Sequence, residues 1–158
     1  MANTQSMCTS FLGELMTATH NFGVAPIRAA TTADTFKAAL YLVSATVDAA
    51  TTVYSSTGEV TGTNYTAGGV VVTGANAPTA TNASATAGVG YWTPSASIVY
   101  TTVTLTTAFD AVLIYNNSQS NKAVSVHTFG SQTITAGTFT LTMPSNTTTT
   151  ALLRLATT

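Results

Sequence analysis

The sequence predicts an all-β protein, an antiparallel β-sandwich or jelly roll with a short N-terminal helix or arm. Three observations carry this. From Asp34 onward the apolar residues recur with a period of two. The apolar runs are short, spaced 8–14 residues apart and separated by turn residues. No helical pattern lies between them, which excludes parallel βαβ units. The chain of 158 residues, 45% hydrophobic, is long enough for one core. It divides into a helical arm and linker over 1–32 and a β-domain over 33–158.

The elements follow in order. Phe11, Leu12, Leu15 and Met16 fall at near-helical spacing, so a short amphipathic helix is expected over 5–20, capped by Thr9 or Ser10. Gly13 weakens it by about 1 kcal/mol relative to alanine. Residues 21–32, with Gly23 and Pro26, form a linker. The helix is too short to hold in water unaided. Its apolar residues need a groove, either on a neighbour or at the open end of its own sandwich, and Phe11, Leu12, Leu15 and Met16 are the candidate partner-binding residues.

In DTFKAALYLV, Phe36, Ala38, Leu40 and Leu42 point one way and Lys37, Ala39, Tyr41 and Val43 the other, a strand with a strongly buried face. A second, short strand is expected over 50–54. STGEVTGTNYTAGG, with four glycines, is loop and turn. Residues 70–73 form a brief strand, and the low-complexity stretch 74–90 a long surface loop.

Strands resume near Trp92. SIVYTTVTLTT sets Val99, Val103 and Leu105 against Ile98, Tyr100 and a row of threonines. FDAVLIYN is apolar on both faces, as a central strand is. KAVSVHTF follows a turn at 117–121. SQTITAGTFTLTMP bends at Gly137, then turns Phe139, Leu141 and Met143 inward and Thr138, Thr140 and Thr142 outward. ALLRLA closes the chain.

Charged residues make up 6%, against a usual share of about 25%, and threonine is roughly a fifth of the chain. Threonine solvates a strand face without charge, where most proteins place Lys and Glu to protect strand edges. Such a surface suits a protein committed to neighbours in an assembly. A formal net charge of −1 with four Lys and Arg argues against nucleic acid as a partner. The sole cysteine, Cys8, forms no intrachain disulfide. The N-terminus has neither the basic flank nor the unbroken apolar core of a signal peptide. No apolar run reaches the 18 residues a membrane helix needs. Four Asn-x-Ser/Thr triplets, at Asn64, Asn82, Asn116 and Asn146, are what so much Thr and Asn yields by chance.

Chemistry-bearing residues are few. Ser125, His127 and Asp110 could be drawn as a nucleophile set, but Ser125 and His127 sit two apart on one strand, about 7 Å between side chains by strand geometry. No G-x-S-x-G elbow accompanies them. No catalytic residue, metal site or cofactor is expected: two histidines and one cysteine make no zinc set. Tyr65, Tyr91 and Trp92 could stack on a sugar, or Trp92 could plug the sandwich.

The order of blocks carries a resemblance. A helix ends in His20-x-Phe22, and DTFKAALY and TGEVTGTNYTAGGVVVTG follow. After a Trp segment come FDAVLIYNN, NKAVSVHTFG and TITAGTFTLTMP. Over about residues 5–156 the chain resembles a family of small virion structural proteins of tailed bacteriophages. The most specific part is Gly58, Glu59, Val60, Gly62, Tyr65, Ala67, Gly68 and Gly69. Where the family pattern has glycine between Thr63 and Tyr65, this chain has Asn64, which tolerates the left-handed conformation. The resemblance implies a non-enzymatic virion protein. It would be a capsid cement or decoration protein on the outer shell, made in the host bacterial cytoplasm, with the major capsid protein and itself, as a homotrimer, for partners. A tail or fibre component binding a host glycan is the alternative.

Overall fold

The fold is built around one long hairpin that bends back on itself. A computed structural model describes residues 3–16, 19–20, 22, 33–74, 79–80 and 88–156. In chain order the elements are β1 (Ser6–Met7), α1 (Thr9–Met16), β2 (Phe36–Leu42), β3 (Val70–Val71), β4 (Thr79–Ala80), β5 (Val89–Trp92), β6 (Ile98–Asn116), β7 (Lys122–Leu141) and β8 (Leu153–Ala156). Two antiparallel sheets result, one of order β1-β7-β6-β2-β3 and one of order β4-β5-β8. Of the two architectures expected, the described residues display the paired antiparallel sheets of a sandwich.

The β6–β7 hairpin lies in the five-stranded sheet and bends sharply along its length. Nine residues separate Tyr100 from Phe109 along β6, about 30 Å in a straight strand. Yet Phe139, which pairs opposite Tyr100, has its ring centroid 5.2 Å from that of Phe109. Phe129 joins them, 5.2 Å from Phe139. The bend is made by bulges: four of the five register shifts between β6 and β7 fall between Tyr100 and Ala111. Thr102 and Ala136 there take φ of 52° and 46°. An extra residue in one strand bends it and increases its twist.

This bend corrects the simple alternation expected for 98–107. Ile98, Tyr100, Val103 and Leu105 are all buried, and Val99 is exposed. The bulge at 101–102 slips the period by one, so Val103 and Leu105 face inward with Tyr100. The second bend likewise falls on Ala136 rather than on Gly137. Beyond it the expected pattern holds, with Phe139, Leu141 and Met143 half-buried and Thr138, Thr140 and Thr142 exposed.

β2 is the central partner of the hairpin, pairing with β6 from Phe36↔Asn116 to Leu42↔Phe109. It is buried on both faces except at Lys37 and Leu42, more than the single buried face expected. Phe22 links the sheets. It stacks on Phe36 at 4.5 Å and packs on Trp92 of β5 at 4.8 Å, so Trp92 plugs the core. Residues 50–54 form no strand. A turn at Asp48–Thr51, where the Ala50 amide donates to Asp48 Oδ1 at 2.8 Å, leaves only a bridge, Val53↔Lys122. Linker residues 21 and 23–32, and most of the loop expected at 74–90, lie outside the described residues. Thr79–Ala80 within that loop are β4.

The N-terminal helix is shorter than expected. Met7 and Ser6 pair with Ser125 and Val126, and the Cys8 amide donates to the Val124 carbonyl at 3.1 Å. These bonds hold 6–8 extended, so the helix begins only at Thr9. The Thr9 amide donates to the Ala49 carbonyl at 2.9 Å, and Ser10 Oγ is buried without a partner, so Ser10 does not cap as expected. Cys8 and Phe11 are in the core with the sheets.

The loop from 55 to 72 covers the outer edge of β2. The Val60 amide donates to the Leu40 carbonyl at 3.0 Å and the Leu42 amide to the Gly58 carbonyl at 2.9 Å. Gly69, at φ +71°, presses so close that a Cβ there would sit 1.7 Å from the Ala38 carbonyl oxygen. Gly69→Ala is therefore expected to destabilise the protein by about 3 kcal/mol or more, clash adding to left-handed strain. Gly130→Ala, where a Cβ meets nothing within 4 Å, should stay within about 0.5 kcal/mol. Urea unfolding of both variants checks this; equal effects would contradict it.

Candidate functional site

Three polar clusters lie on this frame. The first is built by the glycine-rich block. Glu59, 6% exposed, follows Gly58 at φ +79° and bridges to Tyr41, which turns its carboxylate under the loop. Oε2 accepts from the Tyr54 hydroxyl at 2.6 Å. Oε1 accepts from the Tyr65 hydroxyl and the Gly68 amide, each at 2.7 Å. Tyr65 OH in turn accepts from the Leu40 amide at 3.0 Å. Tyr54 stacks on Tyr115 and Tyr65 on Tyr100. Tyr115 and Tyr100 donate to the Gly68 and Ala38 carbonyls, each at 2.8 Å. Burial first, then the Glu59 charge, pushes the phenols of Tyr54, Tyr65 and Tyr100 far up and that of Tyr115 up to about 12. They stay protonated donors. Asn64 takes φ of 61°, the left-handed turn expected of it, and its Nδ2 donates to the Thr102 carbonyl at 2.9 Å. The block most specific to the resemblance is thus a structural knot.

The second cluster joins the helix to the hairpin turn. Glu14 accepts from Lys122 Nζ and His20 Nε2, each at 2.7 Å. Asn116 Oδ1 accepts from the amides of Ser118 and Gln119, so its Nδ2 is a donor, to Asp34 at 2.8 Å and to His20 Nδ1 at 3.0 Å. His20 Nδ1 therefore accepts and Nε2 carries the proton to Glu14. That neutral tautomer agrees with burial, which lowers the His20 pKa against the pull of Glu14. Burial tends to raise Glu14, but the bonds from Lys122 and His20 outweigh it and leave its pKa below the ordinary value. His20 is thus buried in this network.

The third is the pair expected to lie apart. Ser125 Oγ and His127 Nε2 are 2.9 Å from each other, so the 7 Å separation expected from strand spacing is corrected. Side chains on one face lean together across the intervening residue. Asp110 is not brought to them: its Oδ1 accepts from Asn3 Nδ2 at 2.6 Å. Ser125 is 2% exposed. Burial lowers the His127 pKa to about 4, so its imidazole is neutral at pH 7. His127 lies at the meeting of two clefts of about 230 and 330 Å³, the second between β1, β7 and β8 with Arg154 at its rim.

The proposed partner-binding residues divide. Phe11 is buried among His20 and Phe22, with ring centroids 4.8 and 5.8 Å away, and Leu15 is half-buried against the same core. The side chains of Leu12 and Met16 lie outside the described residues. The aromatics considered for sugar stacking also divide: Trp92 is buried, Tyr65 is half-buried with its hydroxyl bonded to Glu59, and Tyr91 is half-buried. No group of three or more His, Cys, Asp or Glu suited to a metal occurs among the described residues, and no helix among them is long and apolar enough to cross a membrane. Sequence reading missed the Glu59 knot; the signal was there in one acidic residue between two glycines with Tyr54 and Tyr65 nearby. Comparison with protein-family models, curated proteins and solved structures finds no match.

Both histidines have folded pKa values below the ordinary 6.5. The unfolded chain therefore binds more protons as pH falls, and stability is complete above pH 6.5 and lost toward the folded values. For His127 the window runs from 6.5 down to about 4. Urea unfolding should show stability falling across that window, with His127→Gln flattening part of the slope. Stability unchanged from pH 7 to 4.5 would contradict the assignment.

Proposed function

We propose that this chain is a bacteriophage virion structural protein, a capsid cement or decoration protein that bridges neighbouring capsomers on the outer shell. The observation that carries this reading is where the charges are. Glu59 is enclosed by the tyrosine knot, and Glu14, Lys122 and Asp34 are held in the helix-to-turn network. No Asp, Glu, Lys or Arg occurs from Val60 to Phe109 or from Ala123 to Leu153. The outward faces of the bent hairpin carry threonine instead, at 101, 102, 106, 107, 133, 135, 138 and 140, all exposed.

Uncharged, β-favouring faces such as these lack the protection that free monomers use against association. They cost little to desolvate against another uncharged surface, because no ion loses its hydration. A cement protein needs that property: it works through contact area with the major capsid protein and with copies of itself about a three-fold axis. The family resemblance points the same way. The exterior offers no basic stripe for nucleic acid, as suits a protein outside the shell.

Quantifying the proteins of purified virions by stained gel or mass spectrometry tests the reading. A cement protein is expected at hundreds of copies, in simple ratio to the major capsid protein. Copy numbers near a dozen, the level of tail components, would replace it with the tail or fibre reading. Absence from virions would end both.

A further inference from the structure

The fold treats the two edges of its long hairpin differently. The edge of β6 is covered from Thr102 to Asn116. β2 pairs with it from 109 to 116. Ahead of that, Thr63 exchanges backbone bonds with Thr104 at 3.2 and 3.0 Å, Asn64 Nδ2 takes the Thr102 carbonyl, and the Val43 amide takes that of Ala108 at 3.1 Å. The outer edge of β7 is covered only near the hairpin turn. β1 pairs with Ser125 and Val126, and Gln5 Oε1 reaches Thr128 Oγ1 at 3.5 Å. Among the described residues, the backbone over 129–141 bonds only to β6, apart from Gln132 Nε2 turning back onto the Gly130 carbonyl at 3.1 Å.

Natural proteins blunt such an edge with Lys, Pro, or a covering loop. This one has no Lys or Pro over 129–143 and no strand or loop bonded to that edge among the described residues, and Pro144 then stops it. A cleft of about 230 Å³ lies between the two limbs of the bent β7, with Phe129, Leu141, Met143 and Leu152 among its lining.

We propose that this edge pairs with the same edge of a second copy of the chain, antiparallel, about a two-fold axis at Thr140. The occupant follows from charge and register. An edge with no charged residue from Ala123 to Leu153 does not repel its own copy, whereas like charges directly opposite would. Centred on Thr140, the pairing sets Phe139 against Leu141 of the second copy and Thr138 against its Thr142. Aromatic–aliphatic and Thr–Thr pairs are among the stabilising cross-strand combinations. The half-buried face continues as one inner face and the threonines as one outer face. The segment lies beyond the bulge at Ala136, so the ladder runs without a register shift. This contact is distinct from a three-fold one and stands on the free edge alone, whether or not the chain is a virion protein.

Thr140→Cys in the full chain tests it. Opposed residues of an antiparallel pair have Cα atoms about 4.5–5.5 Å apart, within disulfide reach, and the native Cys8 is fully buried. Mild oxidation should convert Thr140→Cys to a covalent dimer about tenfold faster than Thr106→Cys, an exposed control on β6. Thr140→Lys should abolish the two-fold association seen by sedimentation, and mixing it with Thr140→Glu should restore a heterodimer. Cross-linking of Thr140→Cys no faster than the control, or sedimentation unchanged in Thr140→Lys, would overturn the pairing. Neither result bears on virion copy number, so the two proposals fail separately.

Discussion

The structure depends on one buried carboxylate. Glu59 sits under the glycine-rich loop with three donors on it, from Tyr54, Tyr65 and Gly68. A carboxylate taken out of water is stable only when its oxygens are bonded, so the donors must be brought to it. Bringing them folds the loop over the edge of β2. Tyr65 serves two roles, giving its proton to Glu59 and its lone pair to the Leu40 amide. The glycines are needed because the loop comes so close: Gly62 and Gly69 lie where a side chain would strike the carbonyls of Thr104 and Ala38. The small residues of β2, Ala38 and Ala39, have the same cause.

From this knot the rest of the layout follows. The loop it holds covers β2 and the exposed half of β6, which leaves β7 as the long free edge of the hairpin. The knot and the Glu14–Lys122–His20–Asp34 network together hold four of the nine charged residues. The outward faces of the bent hairpin carry threonine instead of charge. Protection of one edge and neutrality of the surface are thus two results of the same arrangement, and both suit a protein that works by contact.

The sequence made the strands legible because period-two alternation is a direct consequence of strand geometry. β2, the second half of β6 and the outward threonines beyond Ala136 read correctly for that reason. The failures have local causes. A bulge at 101–102 changes the period by one residue, and Thr102 carries no mark of its positive φ. Residues 6–8 fall within the helix expected over 5–20, but the backbone bonds that β7 offers hold them extended. Ser125 and His127 were separated by ideal strand spacing, which gives Cα positions and not where side chains lean. Glu59 was visible as part of a motif, while its burial depends on Tyr54, Tyr65 and Gly68 meeting at one point. No periodicity encodes that.

Amide hydrogen exchange on Glu59→Ala tests the central role of the carboxylate most directly. The substitution strands two hydroxyls and one amide, each worth about 1–3 kcal/mol when buried and unpaired. Protection at Leu40, Leu42, Gly68 and Thr104 should collapse together, with a loss of global stability of about 3 kcal/mol or more, while amides of β6 and β7 near the turn at 117–121 remain the slowest. Native protection across the β2 edge in Glu59→Ala would show that the loop holds without its carboxylate, and would contradict the account.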